Sequence, residues 1–419
     1  RLFEATMIGV GFILGAGIYV LIGAVANLSG PAIWLSFVLA GIAALTTGFS
    51  YAELSSIFPT AESEFSYVKA GLKKYLGFFA YVSVILALTI GIAAVSLGFA
   101  SYFKELTGFN NILLTSFLII LFFTFLNWYS IKYTARLTFI CTVLSILGLF
   151  TIVILAFFNK TNSVNYFVMP KGLIGIIKGA SLIFFAYLGF EGIVKISDET
   201  KNARKNIPLA VILSIVISTI IYIAVALASV SVLSWEVLSK SPAPLAEVAG
   251  SVLGNKGFIF LAIIALVSTA STIMIGILSS SRGFYRLGQI LNKFSGLSKV
   301  GKRNTPTRAL ILTFFISALF LFFKDISRVV GFTNFLIFLT FILVNISVIT
   351  LRYKDPATLR KFKVPLNIGK MPIIPIFGVI ISAILILNLE LIHIIGGTII
   401  SAVIFLVYYL FYKEDIYLK

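Results

Sequence analysis

The sequence predicts an all-α, polytopic membrane protein, and three observations carry that prediction. The chain of 419 residues is 59% hydrophobic, with a mean hydropathy of +1.08. Only 11% of its residues are charged, against about a quarter in a soluble protein. Runs of about 20 apolar residues recur along the whole length, each long enough to cross a bilayer as a helix. A water-soluble fold is excluded. Cys141 is the single cysteine and lies inside an apolar run, so no disulfide or zinc framework organises the chain. The first apolar run leads straight into more of the same kind, which sets it apart from a cleavable signal peptide.

Twelve spans follow, over residues 7–27, 32–57, 77–103, 112–129, 137–158, 173–195, 208–233, 257–281, 308–323, 329–351, 373–389 and 391–412. An even number of crossings puts both termini on one side. About 25 of the lysines and arginines then fall on the side of the termini and about 8 on the other. The bias is strongest in 282–308 (Arg282, Arg286, Lys293, Lys299, Lys302, Arg303, Arg308) and in 352–370 (Arg352, Lys354, Arg360, Lys361, Lys363, Lys370). Basic loops stay in the cytoplasm, so both termini are expected there and the protein in the cell (plasma) membrane. The net charge of +18 belongs to those loops, and no nucleic-acid partner is expected.

Three connections carry more than linker character. Residues 58–76, beginning Phe58-Pro59-Thr60-Ala61-Glu62-Ser63-Glu64, are amphipathic but too short to span. Residues 242–253, with Pro242 and Pro244, predict a short extracellular helix after a proline stop. Residues 283–298 continue the eighth helix into a basic amphipathic stretch.

Two spans are poor helix material. The first holds Gly9, Gly11, Gly15 and Gly17 within Gly9–Gly17, and each glycine disfavours helix by about 1 kcal/mol relative to alanine. The sixth runs Ile183-Phe184-Phe185-Ala186-Tyr187-Leu188-Gly189-Phe190-Glu191-Gly192 and contains Glu191, the most deeply placed acidic residue. An ionisable group at that depth is costly unless paired, hydrated or protonated. One such segment reads equally well as glycines that permit close packing, with Glu191 near Lys195 at the span's end. Two of them, five spans apart, point to an inverted-repeat transporter site. Half-helices starting after Gly15–Gly17 and after Gly189 offer free N–H groups to a carboxylate. Half-helices ending at the breaks offer carbonyls to an ammonium group. A zwitterion the size of an amino acid meets both demands.

At these residues the chain resembles the amino acid–polyamine–organocation superfamily of transporters, most of all the cationic amino acid transporter group and its prokaryotic relatives. The resemblance is carried by Gly9-Val10-Gly11 through Gly15-Ala16-Gly17-Ile18-Tyr19, by Tyr51-Ala52-Glu53-Leu54 with Phe58-Pro59, and by Phe185–Glu191. Asp198-Glu199-Thr200-Lys201-Asn202 with Ile207-Pro208, then Pro244-Leu245-Ala246, and Leu351-Arg352-Tyr353 with Phe362-Lys363-Val364-Pro365 complete the ordered set. It implies a LeuT-type fold in a single transmembrane domain. Two inverted five-helix repeats, about 7–158 and 173–323, are followed by peripheral helices over 329–412. It implies a substrate carboxylate at Ile13, Gly15, Ala16 and Gly17, and an amino group at Phe185, Ala186 and Leu188. By analogy Phe185 is an aromatic gate, with packed core as the alternative.

The sequence departs from the family pattern in two places. Proton-using relatives often carry a lysine in the fifth helix nine residues after an arginine; counting from Arg136 lands on Ser145. Hydroxyls of Ser268, Thr269, Ser271 and Thr272 with first-helix carbonyls form an alternative oxygen cage for sodium, although helical Ser and Thr often bond back to their own helix. A third-helix glutamate of relatives maps onto Ala87, which leaves Glu191 as the candidate proton carrier or cation-sensing group. The expectation is therefore a permease, not an enzyme, that moves amino acids by alternating access as a monomer or weak dimer. No cofactor is expected, and the coupling ion is a proton (H+) or sodium (Na+), in symport or antiport. The alternatives are a sodium-coupled symporter and a non-transporting amino acid receptor; a receptor is expected to carry a longer tail than the one after Lys413. An intramembrane enzyme needs paired catalytic groups, and the sequence offers only the single His393 and an isolated Glu191.

Overall fold

Hydrophobic runs that cannot leave backbone groups unsatisfied in a bilayer become helices, and helices account for nearly all of the chain. The computed structural model describes residues 1–59, 63–129, 131–158, 164–195, 197, 200–301 and 305–412, and of 131–139, 292, 293 and 412 the backbone alone. Of the residues singled out above, Thr60, Ala61, Glu62, Asp198, Glu199, Lys302, Arg303 and Lys413 lie outside the described residues, as do the side chains of Arg136 and Lys293.

The first span is two helices, α1 (Leu2–Ile13) and α2 (Gly17–Ser29), and a 3₁₀ turn at Gly30–Ala32 leads into α3 (Ile33–Ile57). The amphipathic connection forms α4 (Ser63–Gly71). Long spans follow as α5 (Lys74–Thr107), α6 (Ile112–Tyr129) and α7 (Ile131–Phe158). Gly108, at φ +75°, stops α5 in the left-handed conformation that glycine adopts freely. The sixth span divides into α8 (Gly172–Ile183), a 3₁₀ turn at Phe184–Tyr187 and α9 (Phe190–Val194). Then come α10 (Ala203–Val232), the short α11 (Trp235–Lys240) and α12 (Pro244–Ile290). Pro244 opens α12, and Gly254, at φ +65°, kinks it, setting residues 244–253 apart as the short helix expected there. The chain closes with α13 (Thr307–Phe320), α14 (Ile326–Lys354), a two-stranded ribbon of β1 (Asn367–Ile368) and β2 (Met371–Pro372), α15 (Ile373–Leu387) and α16 (Leu391–Val407). Each expected span contains helix, interrupted at 14–16 in the first and at 188–189 in the sixth. Among the described residues nine helical stretches are long and apolar enough to cross a membrane, and Leu2–Ile13, Thr307–Phe323 and Ile373–Leu387 are shorter apolar helices.

The helices enclose one large core in which α5 packs on α12 and α14, and α3 on α10. On the side where the basic loops gather, two of the segments that carry the family resemblance meet. Glu53, at the end of α3, is 1% exposed and accepts Arg352 Nε at 3.0 Å, Arg352 Nη2 at 2.5 Å and the Val364 N–H at 2.8 Å. Arg360 Nε stands 3.3 Å from the same carboxylate. A buried carboxylate is tolerable only with such a set of donors. Tyr51-Ala52-Glu53-Leu54 and the 351–365 segment are thus two halves of one clamp. Lys354 Nζ and Thr350 Oγ1 add bonds to the Gly71 carbonyl, which pin α4 to α14. This face is the basic side of the molecule.

Candidate functional site

At the first break the helical ladder gives out over three residues. Leu14 still donates to Val10 O, but Gly15 donates only to Ile13 O at 2.7 Å, and Ala16 donates to Thr272 Oγ1 of α12 at 3.1 Å. α2 then starts at Gly17. Among the described residues no acceptor is found for the N–H of Gly17 or Ile18, so the positive end of a thirteen-residue helix is left open.

At the second break the chain goes from 3₁₀ turn to extended Leu188 (ψ 139°) and then Gly189 at φ +125°. Only glycine fits there, because an added Cβ would stand 2.5 Å from the Phe12 carbonyl oxygen. The two breaks are not equivalent. Glu191, 2% exposed, turns back so that its Oε2 accepts the Gly189 N–H at 2.9 Å. The start of α9 is therefore capped by its own side chain, and the start of α2 is the one that stays open. That asymmetry departs from the two equal N-termini expected from the sequence. The physical cause is the two-residue spacing of Glu191 from Gly189, which suits a local side-chain-to-backbone bond.

The breaks face one another. A Cβ on Gly17 would lie 2.6 Å from Ala186 Cα and 2.7 Å from its Cβ. The Tyr222 hydroxyl of α10 reaches both, 2.7 Å from Ile13 O and 2.8 Å from Ala186 O, sharing one proton between two carbonyls. Sequence reasoning missed Tyr222. The signal was present in Ile220-Ile221-Tyr222-Ile223: a phenol buried amid aliphatics needs a partner, and spare carbonyls at that depth exist only at helix breaks.

A cavity of about 590 Å³ opens from the breaks towards the basic side. Ile13, Gly15, Ala16, Gly17, Phe185, Ala186, Leu188 and Glu191 all line it, as do Ser145, Ser271 and Thr272. Ser268 and Thr269 do not. Thr269 Oγ1 donates to Ala265 O, Thr272 Oγ1 donates to Ser268 O, and the Ser268 hydroxyl is buried without a partner. Of the four hydroxyls proposed for a sodium cage, two thus donate back to their own helix. Ser145 Oγ donates to Cys141 O, and the Ser145 carbonyl accepts the Tyr19 hydroxyl at 2.6 Å, which ties α2 to α7. Much of the remaining wall is aliphatic: Val84, Ala87, Leu88, Gly91 and Ile92 of α5, and Ile275 and Gly276 of α12. The Phe185 ring lies against Gly91, whose Cβ would come within 3.0 Å of it. At the mouth the lining becomes charged, with Glu64, Lys195, Arg282 and Arg286. Glu64 is a further residue that the sequence did not single out as part of a site.

A family model described as amino acid permease matches residues 1–412. The chain belongs to that family, within the amino acid–polyamine–organocation superfamily. It is similar to a branched-chain amino acid permease, BcaP, of Bacillus subtilis, at 29% identity over 98% of this chain and 92% of the relative. A methylthioribose transporter of the same organism is 29% identical over 90% and 85%. Cationic amino acid transporter 1 of Arabidopsis thaliana is 26% identical over 82% of this chain and 61% of the plant protein. The molecule is a multi-pass membrane transporter rather than an enzyme.

Proposed function

We propose that this permease is a secondary transporter for neutral, aliphatic amino acids, bound as zwitterions between the two breaks and moved by alternating access. The observation that carries the reading is the open start of α2 set against the carbonyls of Ile13 and Ala186. A carboxylate finds unpaired N–H groups and a positive helix end at Gly17 and Ile18. An ammonium group finds carbonyl acceptors, in part by displacing the shared Tyr222 proton. The small apolar wall of α5 and α12 takes the side chain, and the similarity to a branched-chain amino acid permease supports that choice. α1 and α2, with α8 and α9, rock against the remaining helices, within two inverted repeats over about 7–158 and 173–323. The basic side is cytoplasmic and holds both termini, the protein sits in the cell membrane as a monomer or weak dimer, and the cavity is the inward-facing vestibule.

Coupling runs by proton symport or by exchange, with Glu191 as the proton carrier. It is a carboxylate in the cavity wall, one short helix from the basic-side mouth, whereas Ser268 and Thr269 of the sodium cage stand outside the lining and Thr272 Oγ1 already accepts the Ala16 N–H. Uptake of a panel of labelled amino acids into proteoliposomes, under separate proton and sodium gradients, tests the whole reading. Leucine, isoleucine or valine should accumulate with a proton gradient or exchange without one. No uptake and no exchange of any amino acid would refute it.

A further inference from the structure

Glu64 is a carboxylate with no exposed surface, held in the wall of the cavity by the amphipathic connection between two spans. It sits in the first turn of α4, which packs on α5 and α14. Ser63 Oγ donates to its Oε2 at 2.8 Å, and the Tyr51 hydroxyl approaches Oε1 at 3.4 Å. Its cation is Lys195, at 3.9 Å. That distance is an ion pair without a hydrogen bond, which needs about 2.7–3.2 Å. A carboxylate offers about four lone-pair positions, so Oε1 keeps capacity that its neighbours among the described residues do not fill. Tyr67, one turn along α4 and in edge contact with Tyr51, likewise has a buried hydroxyl with no partner.

Lys195 is itself only loosely committed. It ends α9, four residues after Glu191 and so on the same face, and its side chain is 34% exposed. The lysine head thus stands by Glu64, on the helix face that also carries Glu191, and it can swing outward along its flexible stem. The cavity is also larger than one amino acid fills, and it connects the breaks to this charged mouth without interruption.

We propose that Glu64 is a second subsite, for a primary ammonium group, on the path between the breaks and the basic side, with Lys195 as the resident cation that an incoming ammonium displaces. The subsite rests on the transport reading for its purpose: a zwitterion leaving the breaks transfers its ammonium from backbone carbonyls to Glu64. Its chemistry can be measured separately. The probe is isoamylamine, which has an aliphatic chain and an ammonium group but no carboxylate.

Binding of isoamylamine to the purified full chain is read by ligand-induced thermal stabilisation, with leucine present at saturation to occupy the breaks. Wild type should bind the amine alongside leucine. Glu64→Gln, which keeps the size of the side chain, should weaken amine binding at least tenfold, the loss of one charge-assisted hydrogen bond. Lys195→Gln should strengthen it severalfold by removing the competitor, a gain that general damage to the fold does not produce. Both shifts together support the subsite. Absence of either one, or an amine that fails to bind once leucine is present, overturns it. If leucine itself does not bind, the functional reading fails instead, and the amine series on the empty protein still decides the fate of Glu64.

Discussion

Replacing Gly17 by alanine puts a single methyl between the two breaks, and the structure sets the size of the effect. The new Cβ would stand 2.6 Å from Ala186 Cα, 2.7 Å from Ala186 Cβ and 3.2 Å from Ala186 N. Carbon atoms pack at about 3.5–4.0 Å, so the breaks must part by about 1 Å. Two of the three atoms are backbone, and no rotamer change relieves them. Tyr222 bridges the same gap at 2.7 and 2.8 Å. Parting by about 1 Å stretches one of those bonds past the limit at which it counts as one. Overpacking of this kind costs about 1–3 kcal/mol, and the lost bond about 1 kcal/mol. A site whose N–H and carbonyl groups no longer converge also loses at least one charge-assisted hydrogen bond to the ligand, about 1.5–3 kcal/mol, or tenfold and more in affinity. The assay is leucine calorimetry on purified protein, with size-exclusion and thermal unfolding to show that the variant is folded. Gly15→Ala is the graded control, since its Cβ would meet only the Thr272 side chain, at 3.0 Å from Oγ1. Its loss should be smaller. Wild-type leucine affinity in Gly17→Ala, or a larger loss in Gly15→Ala, would refute the placement of substrate between the breaks.

Three further changes probe other parts of the molecule. Tyr222→Phe removes the donor shared by Ile13 O and Ala186 O; leaving a buried carbonyl unpaired costs about 1–3 kcal/mol, so the melting temperature and the leucine exchange rate should both fall. Unchanged exchange would take Tyr222 out of the site. Arg352→Gln takes both charge-assisted hydrogen bonds from the buried Glu53 and leaves its charge to Arg360, a loss of about 3 kcal/mol. It should appear as a large drop in thermal stability, and a drop within measurement error would mean the clamp is not structural. Glu191→Gln retains an acceptor for the Gly189 N–H, so the break should survive; uptake that keeps its full dependence on pH would exclude Glu191 as the proton carrier.

The spans, the amphipathic character of the connection over 58–76 and the short helix after Pro242 were legible because hydropathy, amphipathicity and proline act locally, within one or two turns of their own residues. Both breaks were legible for the same reason: Gly9–Gly17 and Gly189 weaken helix wherever the chain finds itself. The clamp of Glu53 with Arg352 and Arg360 was visible only as separate pieces of family resemblance. Nothing in Tyr51-Ala52-Glu53-Leu54 says which distant cation will neutralise it, because the pairing spans about three hundred residues.

The sequence by itself determined that the chain lives in a membrane, where its helices run and where two of them fail. Each follows from free energies that a short stretch of chain sets alone. The tertiary structure decided what the failures amount to. It closed the start of α9 with Glu191 and left the start of α2 open, set Ala186 against Gly17 and placed the Tyr222 hydroxyl between them. It also drew Glu64 out of a connecting segment into the cavity wall. Directed hydrogen bonds and close contacts depend on where distant segments come to rest to within about half an ångström. Composition and periodicity hold no record of that.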